Sequence, residues 1–108
     1  MLEVTKNKIK LTRGDTGIFN VHVKDADNED YELQEGDVLR FTLRKTPKSG
    51  DVFIQKVVTG AEIVISPEDT QKMTFGTYYY DLELTKSDGT VDTIIPPMTF
   101  ELLEEVTY

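Results

Sequence analysis

Residues 69–84 read DTQKMTFGTYYYDLEL. The second half of this stretch decides the fold class. Tyr78, Tyr80, Leu82 and Leu84 alternate with Tyr79, Asp81 and Glu83. Period-two alternation is the pattern of a β-strand with one apolar face and one polar face. The first half supplies a way into that strand. A short turn ends at Gly76, and the first two core-facing tyrosines follow at once.

The same alternation recurs on both sides. Ile9 and Leu11, then Phe19, Val21 and Val23, then Leu39, Phe41 and Leu43 each alternate with polar residues. Met98, Phe100 and Leu102 do so near the end. Two β-branched runs, VFIQKVV (52–58) and AEIVI (61–65), alternate less cleanly. Turn signals separate the runs: Arg13-Gly14-Asp15, Asp27-Asn28, Glu35-Gly36-Asp37, the Pro47 to Gly50 segment, Thr59-Gly60, Phe75-Gly76 and Ser87-Asp88-Gly89. In SPEDTQKM (66–73), Ser66 suits an N-cap and Pro67 the first helical position, which predicts one helical turn near residues 67–72. About seven short strands at regular spacing predict an all-β fold, an immunoglobulin-like antiparallel β-sandwich forming a single domain over residues 1–108. Gly76 followed by Tyr78 and Tyr80 resembles a tyrosine corner, with Tyr78 bonded back to the corner and Tyr80 where a disulfide cysteine sits in antibody domains. Pro96-Pro97 predicts that the last strand lies at an edge or breaks at a bulge.

Composition narrows the function. With 108 residues, 38% apolar side chains and no Trp, the chain can form one modest core. It has no Cys, which fits a reducing compartment or a particle assembled inside a cell. No run is apolar enough for a membrane span, and the N-terminal stretch lacks a signal-peptide core, so neither membrane insertion nor a leader is expected. The formal charge of −8 repels phosphate backbones and makes nucleic acid a poor partner. The charge is uneven: residues 1–24 carry five basic and two acidic side chains, while residues 25–37 carry seven acidic and none basic. That acidic run reads as a solvated hairpin loop.

No enzyme chemistry is expected. His22 is the only side chain with an ordinary pKa near neutrality, and it lies on the polar side of its strand without a partner motif. Asp81 and Glu83 share a strand face at a glycosidase-like spacing, but such pairs are common in an acidic chain. The run DADNEDYELQEG lacks the sixth-position Gly and twelfth-position Glu of a calcium loop, so no metal and no cofactor are expected. Arg13-Gly14-Asp15 spells an integrin-binding tripeptide. It sits where the pattern requires a corner, with Gly14 free to take a positive φ and Asp15 suited to closing the turn. The docking candidate is VFIQKVV. Val52, Ile54 and Val58 fall on one face and Phe53 and Val57 on the other, giving an interface or a bulge. Carbohydrate binding is the alternative, with Tyr31, Tyr79 and Tyr108 as platforms.

The segment VKDADNEDYELQEGDVLRFTLRK (23–45) resembles the N-terminal domain of phage baseplate upper proteins and related small prophage structural proteins. The matching positions are Asp27, Asn28, Glu32, Leu33, Val38 or Leu39, Phe41, Leu43 and Arg44. IVISPEDTQKMTFGTYYYDLEL (63–84) is similar to that group's strand, Pro-Glu-Asp-Thr turn and Gly-x-Tyr-x-Tyr-Asp strand. The resemblance spans roughly residues 8–106. It implies a virion structural protein, or one held in the bacterial cytoplasm before assembly. It also implies docking with other phage tail or baseplate proteins or self-association, and no catalytic residue or cofactor.

Overall fold

A computed structural model describes residues 2–25, 27–48 and 50–104, with Glu3 and Thr5 as backbone only. Among these residues are eight strands: β1 (Leu2–Thr5), β2 (Lys8–Thr12), β3 (Gly17–Asn20), β4 (Val38–Arg44), β5 (Val52–Val58), β6 (Glu62–Ile65), β7 (Gly76–Thr85) and β8 (Val91–Leu103). One helical turn, α1 (Pro67–Thr70), joins β6 to β7. The strands form a six-stranded sheet in the order β1-β2-β8-β7-β4-β5 and a two-stranded sheet of β3 and β6.

The alternation in β7 does what its spacing dictates. Tyr78, Tyr80, Leu82 and Leu84 are buried, and the residues between them are not. They meet Phe41, Leu39 and Leu43 from β4 on one side and Phe100 from β8 on the other. The Phe41 ring stacks on Tyr80 at 5.4 Å and meets Phe100 edge-on at 6.4 Å. Such pairs contribute about 0.5–1.5 kcal/mol each beyond the area they bury. The small sheet closes over this cluster, with Ile63 and Ile65 fully buried and Phe19 edge-on to Phe41 at 5.9 Å.

Two sequence expectations change, and a third is met. The strands number eight because β1 also pairs, through a hairpin whose turn residues Lys6 and Asn7 both have positive φ (50° and 66°). Four residues of LEVT are too few to show a period. The large sheet is mixed rather than antiparallel, because β2 runs parallel to β8, matching Ile9 to Phe100 and Leu11 to Leu102. The proline pair, expected at an edge or a bulge, falls at a bulge. β8 lies between β2 and β7, yet β2 reaches only its Phe100 to Leu103 end. At the prolines, the partners shift from Tyr80–Met98 to Leu82–Ile95, so Pro96 and Pro97 together face Asp81. This bulge lets a proline pair enter a strand without leaving a ladder acceptor unmatched.

The helical turn forms where Ser66, Pro67 and Asp69 direct it. The Asp69 carboxylate accepts from the Ser66 amide (2.8 Å) and hydroxyl (2.9 Å), closing a capping box. Lys56 of β5 reaches the same carboxylate at 2.8 Å and ties the turn to the large sheet.

Candidate docking surfaces

Among the described residues, β5 is an edge strand of the large sheet, with β4 on one side and no strand on the other. Its register decides what that edge presents. Val58, Lys56 and Ile54 pair with the core-facing Leu39, Phe41 and Leu43, so they point inward. Val57 and Gln55 pair with Arg40 and Thr42 and point outward. The pairing then slips, with Val52 opposite Arg44, and Phe53 is the extra residue of a bulge. The expected division of faces is therefore wrong at its start. Val52 lies on the outer face with Val57, and the bulge turns the Phe53 ring edge-on to Tyr78 at 5.2 Å. Ile54 is 5% exposed and belongs to the core, whereas Val52, Phe53 and Val57 are 47%, 45% and 54% exposed. Val58 is half-buried.

The neighbouring outer face is polar and internally paired. Arg44 holds Asp81 at 3.0 Å, and Arg40 lies 3.9 Å from Glu83. Asp81 and Glu83, the carboxylate pair suggested by spacing, are thus each matched to an arginine on β4. Tyr79 shares this face opposite Thr99.

Tyr78 and Tyr80 anchor the interior behind the edge. The Tyr78 hydroxyl donates to the Thr74 carbonyl at 2.7 Å, four residues back, and Lys45 lies 4.5 Å above the ring. Gly76 between them has φ of 143°. The Tyr80 hydroxyl donates to the Asn7 carbonyl at 2.5 Å, and burial pushes its pKa up to about 12. It therefore stays a neutral donor and pins the β1–β2 turn to the floor of the molecule.

Arg13-Gly14-Asp15 carries the chain from the large sheet into β3. Gly14 has φ of 85°, and its amide donates to the buried Thr70 hydroxyl at 3.0 Å. The Asp15 amide donates to the Thr12 carbonyl at 3.1 Å. The Arg13 guanidinium lies 4.3 Å above the Phe75 ring and donates to the Met73 carbonyl. The tripeptide is packed against the segment that leads into β7.

The acidic loop has an internal logic that charge counting missed. Asp25 accepts from the Asp27 and Glu29 amides, making a tight tip with Asn28 at φ of 61°. Lys24 pairs with Asp30 across it. Asp37 is buried, and its carboxylate accepts from the Tyr31 hydroxyl (2.6 Å), the Gln34 amide (2.9 Å) and the Ser87 amide (3.1 Å). The Tyr31 bond first, and then the Gln34 amide, hold its pKa below the usual carboxylate value. This staple joins the acidic loop to the β7–β8 hairpin across 50 residues of sequence. The signal in the sequence was a glycine: Gly36 has φ of 90°, and a Cβ there would meet the Ser87 Cβ at 2.8 Å.

His22 is exposed just beyond β3, which ends at Asn20. Of the aromatic platforms, Tyr31 carries Lys86 at 5.0 Å over its ring, Tyr79 is on the outer face, and Tyr108 lies outside the described residues. Among the described residues, no three His, Cys, Asp or Glu side chains form a group that could hold a metal ion. No helix among them is long and apolar enough to cross a membrane. No protein-family model matches the chain, and neither does any curated protein sequence.

Proposed function

We propose that this chain is a non-enzymatic docking domain of immunoglobulin-like build, a structural or attachment component of a phage or prophage tail. Its partners are other tail or baseplate proteins or a second copy of itself. The observation that carries the reading is β5, a free sheet edge with Val52, Phe53 and Val57 exposed along seven residues. An edge strand offers unpaired backbone groups, and exposed apolar side chains beside them make pairing with another chain favourable. The strand bears one charged side chain, Lys56, and that is turned inward to Asp69. The edge therefore lacks the outward lysine that commonly blunts such strands.

Two features support the immunoglobulin-like build. By chain position, β8-β7-β4-β5 corresponds to strands G-F-C-C′, and the facing β3–β6 pair to strands B and E. The Tyr78 hydroxyl bonds to backbone just upstream of its strand, as in a tyrosine corner. The resemblance of residues 23–45 and 63–84 supplies the assignment to a phage or prophage tail.

Sedimentation velocity over a wide concentration range tests the docking edge. Association of the wild type, lost in Phe53→Lys with folding intact, supports it for self-docking. A strictly monomeric wild type transfers the edge to a different partner. The genes flanking this one test the setting, since tail and lysis genes are expected, and a neighbourhood without either contradicts the phage assignment.

A further inference from the structure

The two-stranded sheet leaves part of the large sheet's inner face open, and a groove of about 690 Å³ occupies the gap. Its floor is Val4, Ile9, Tyr80, Leu84, Ile94 and Ile95. Its wall is residues 19–25, the end of β3 and the stretch that follows it, and no residue of β6 lines it. The groove therefore lies on the side of β3 away from β6, its only strand partner among the described residues.

The hydrogen bonds of that wall show which way its backbone points. The Val21 amide donates to the Ala61 carbonyl on the β6 side at 2.7 Å. The Val23 carbonyl accepts from the Tyr31 amide at 2.9 Å. Successive residues of an extended chain direct their amides and carbonyls to opposite sides. Asn20, His22 and Lys24 thus direct theirs toward the groove. The site combines a bare strand edge with an apolar floor, which is the shape left when a sheet lacks its third strand.

The charges at the rim point to the kind of occupant. Lys24 pairs with Asp30, Lys86 lies 3.8 Å from Asp92, and Asp25 accepts from two backbone amides. Both lysines are paired with carboxylates and Asp25 is held by backbone amides, so the rim offers a charged occupant no unpaired partner to offset its lost hydration. We propose that this groove receives an uncharged, extended segment of a partner protein, apolar at alternate residues, which adds to the free edge of β3 as the third strand of the small sheet. Residues 19–25 span roughly 20 Å at about 3.3 Å per residue, room for about seven residues of the incoming strand. Its apolar residues would cover Ile94 and Ile95, and its backbone would pair with Asn20, His22 and Lys24. This surface is separate from the β5 edge, and the two proposals stand or fall independently.

The probe is a capped peptide of about seven alternating threonine and valine residues carrying a polyethylene glycol tail for solubility. It is titrated into the wild-type chain and followed by amide NMR. The expected result is saturable shifts of Asn20, His22 and Lys24 with slowed exchange of their amides, and no change over residues 52–58. The same peptide N-methylated at every residue, so that neither edge can donate, should give no such shifts. His22→Pro removes one groove-facing amide and leaves the bonds of Val21 and Val23 untouched. It should weaken binding about fivefold, the worth of one ladder hydrogen bond. No shift in residues 19–25 at millimolar peptide overturns the proposal. Equal shifts from the N-methylated peptide also overturn it, because they show apolar contact without strand addition.

Discussion

The inner face of the large sheet has a covered half and an open half, built from the same kind of residue. Under the small sheet, Phe41, Leu39 and Phe100 are sealed by Ile63, Ile65 and Phe19. Beyond it, Ile94 and Ile95 line the groove and are only partly buried, although they sit on strand β8 beside the same core. Apolar character is similar in the two halves, and only the reach of the second layer differs. Two strands over six leave a remainder. A strand pattern shows which side chains turn inward, but not whether anything lies above them.

The strongest way to break this comparison is to truncate one residue in each half. Phe41→Ala should cost about 3–5 kcal/mol in chemical denaturation, the range for a buried phenylalanine that leaves a cavity. Ile94→Ala should cost about 1 kcal/mol, because its side chain is only half transferred from water and burying an isoleucine fully contributes about 1.5–3 kcal/mol. Equal costs would show that the groove is closed in solution.

A smaller effect sharpens the account of how the chain passes between the two layers. Gly14→Ala should destabilise by about 1 kcal/mol or more, since its φ of 85° suits glycine and the amide is committed to Thr70. A neutral Gly14→Ala would mean that the corner adopts another conformation. Tyr78→Phe removes only the bond to Thr74 and should cost about 1 kcal/mol. A loss as large as that of Phe41→Ala would assign the hydroxyl a role beyond the corner.

The acidic loop adds a change of slope with pH rather than a step. Asp37 has a folded pKa below its unfolded value, because the Tyr31 hydroxyl and the Gln34 amide favour the carboxylate. Its contribution is complete above the unfolded carboxylate value of about 3.9 and disappears as pH falls through the lower folded value. Wild type should therefore lose stability on acidification below that point more steeply than Asp37→Asn. Parallel curves would show that the staple does not form.

Much of this was legible in the sequence, and the gaps have physical causes. The β7 alternation, the Ser66-Pro67 start of the helical turn and the glycine at the corner each act locally, so neighbouring residues suffice to read them. The parallel pairing of β2 with β8 depends on residues about ninety apart in the chain, from Ile9 to Phe100. The direction of Phe53 depends on a bulge set by its partner strand, which is why its face was misread. Asp37 looked like one more charge in an acidic loop. Its burial follows from Ser87, fifty positions away.

Amide hydrogen exchange of the dilute protein tests most directly whether the strand edges proposed for docking are unpaired in solution. β4, β7 and the Phe100 to Leu103 end of β8 have strands on both sides and should exchange only through global opening. The outward amides of β5 and of the Val91 to Ile95 end of β8, with those of Asn20, His22 and Lys24, should exchange orders of magnitude faster. Protection of β5 and of Asn20 to Lys24 equal to that of β4 and β7 would show that those edges are already closed, and would contradict the account.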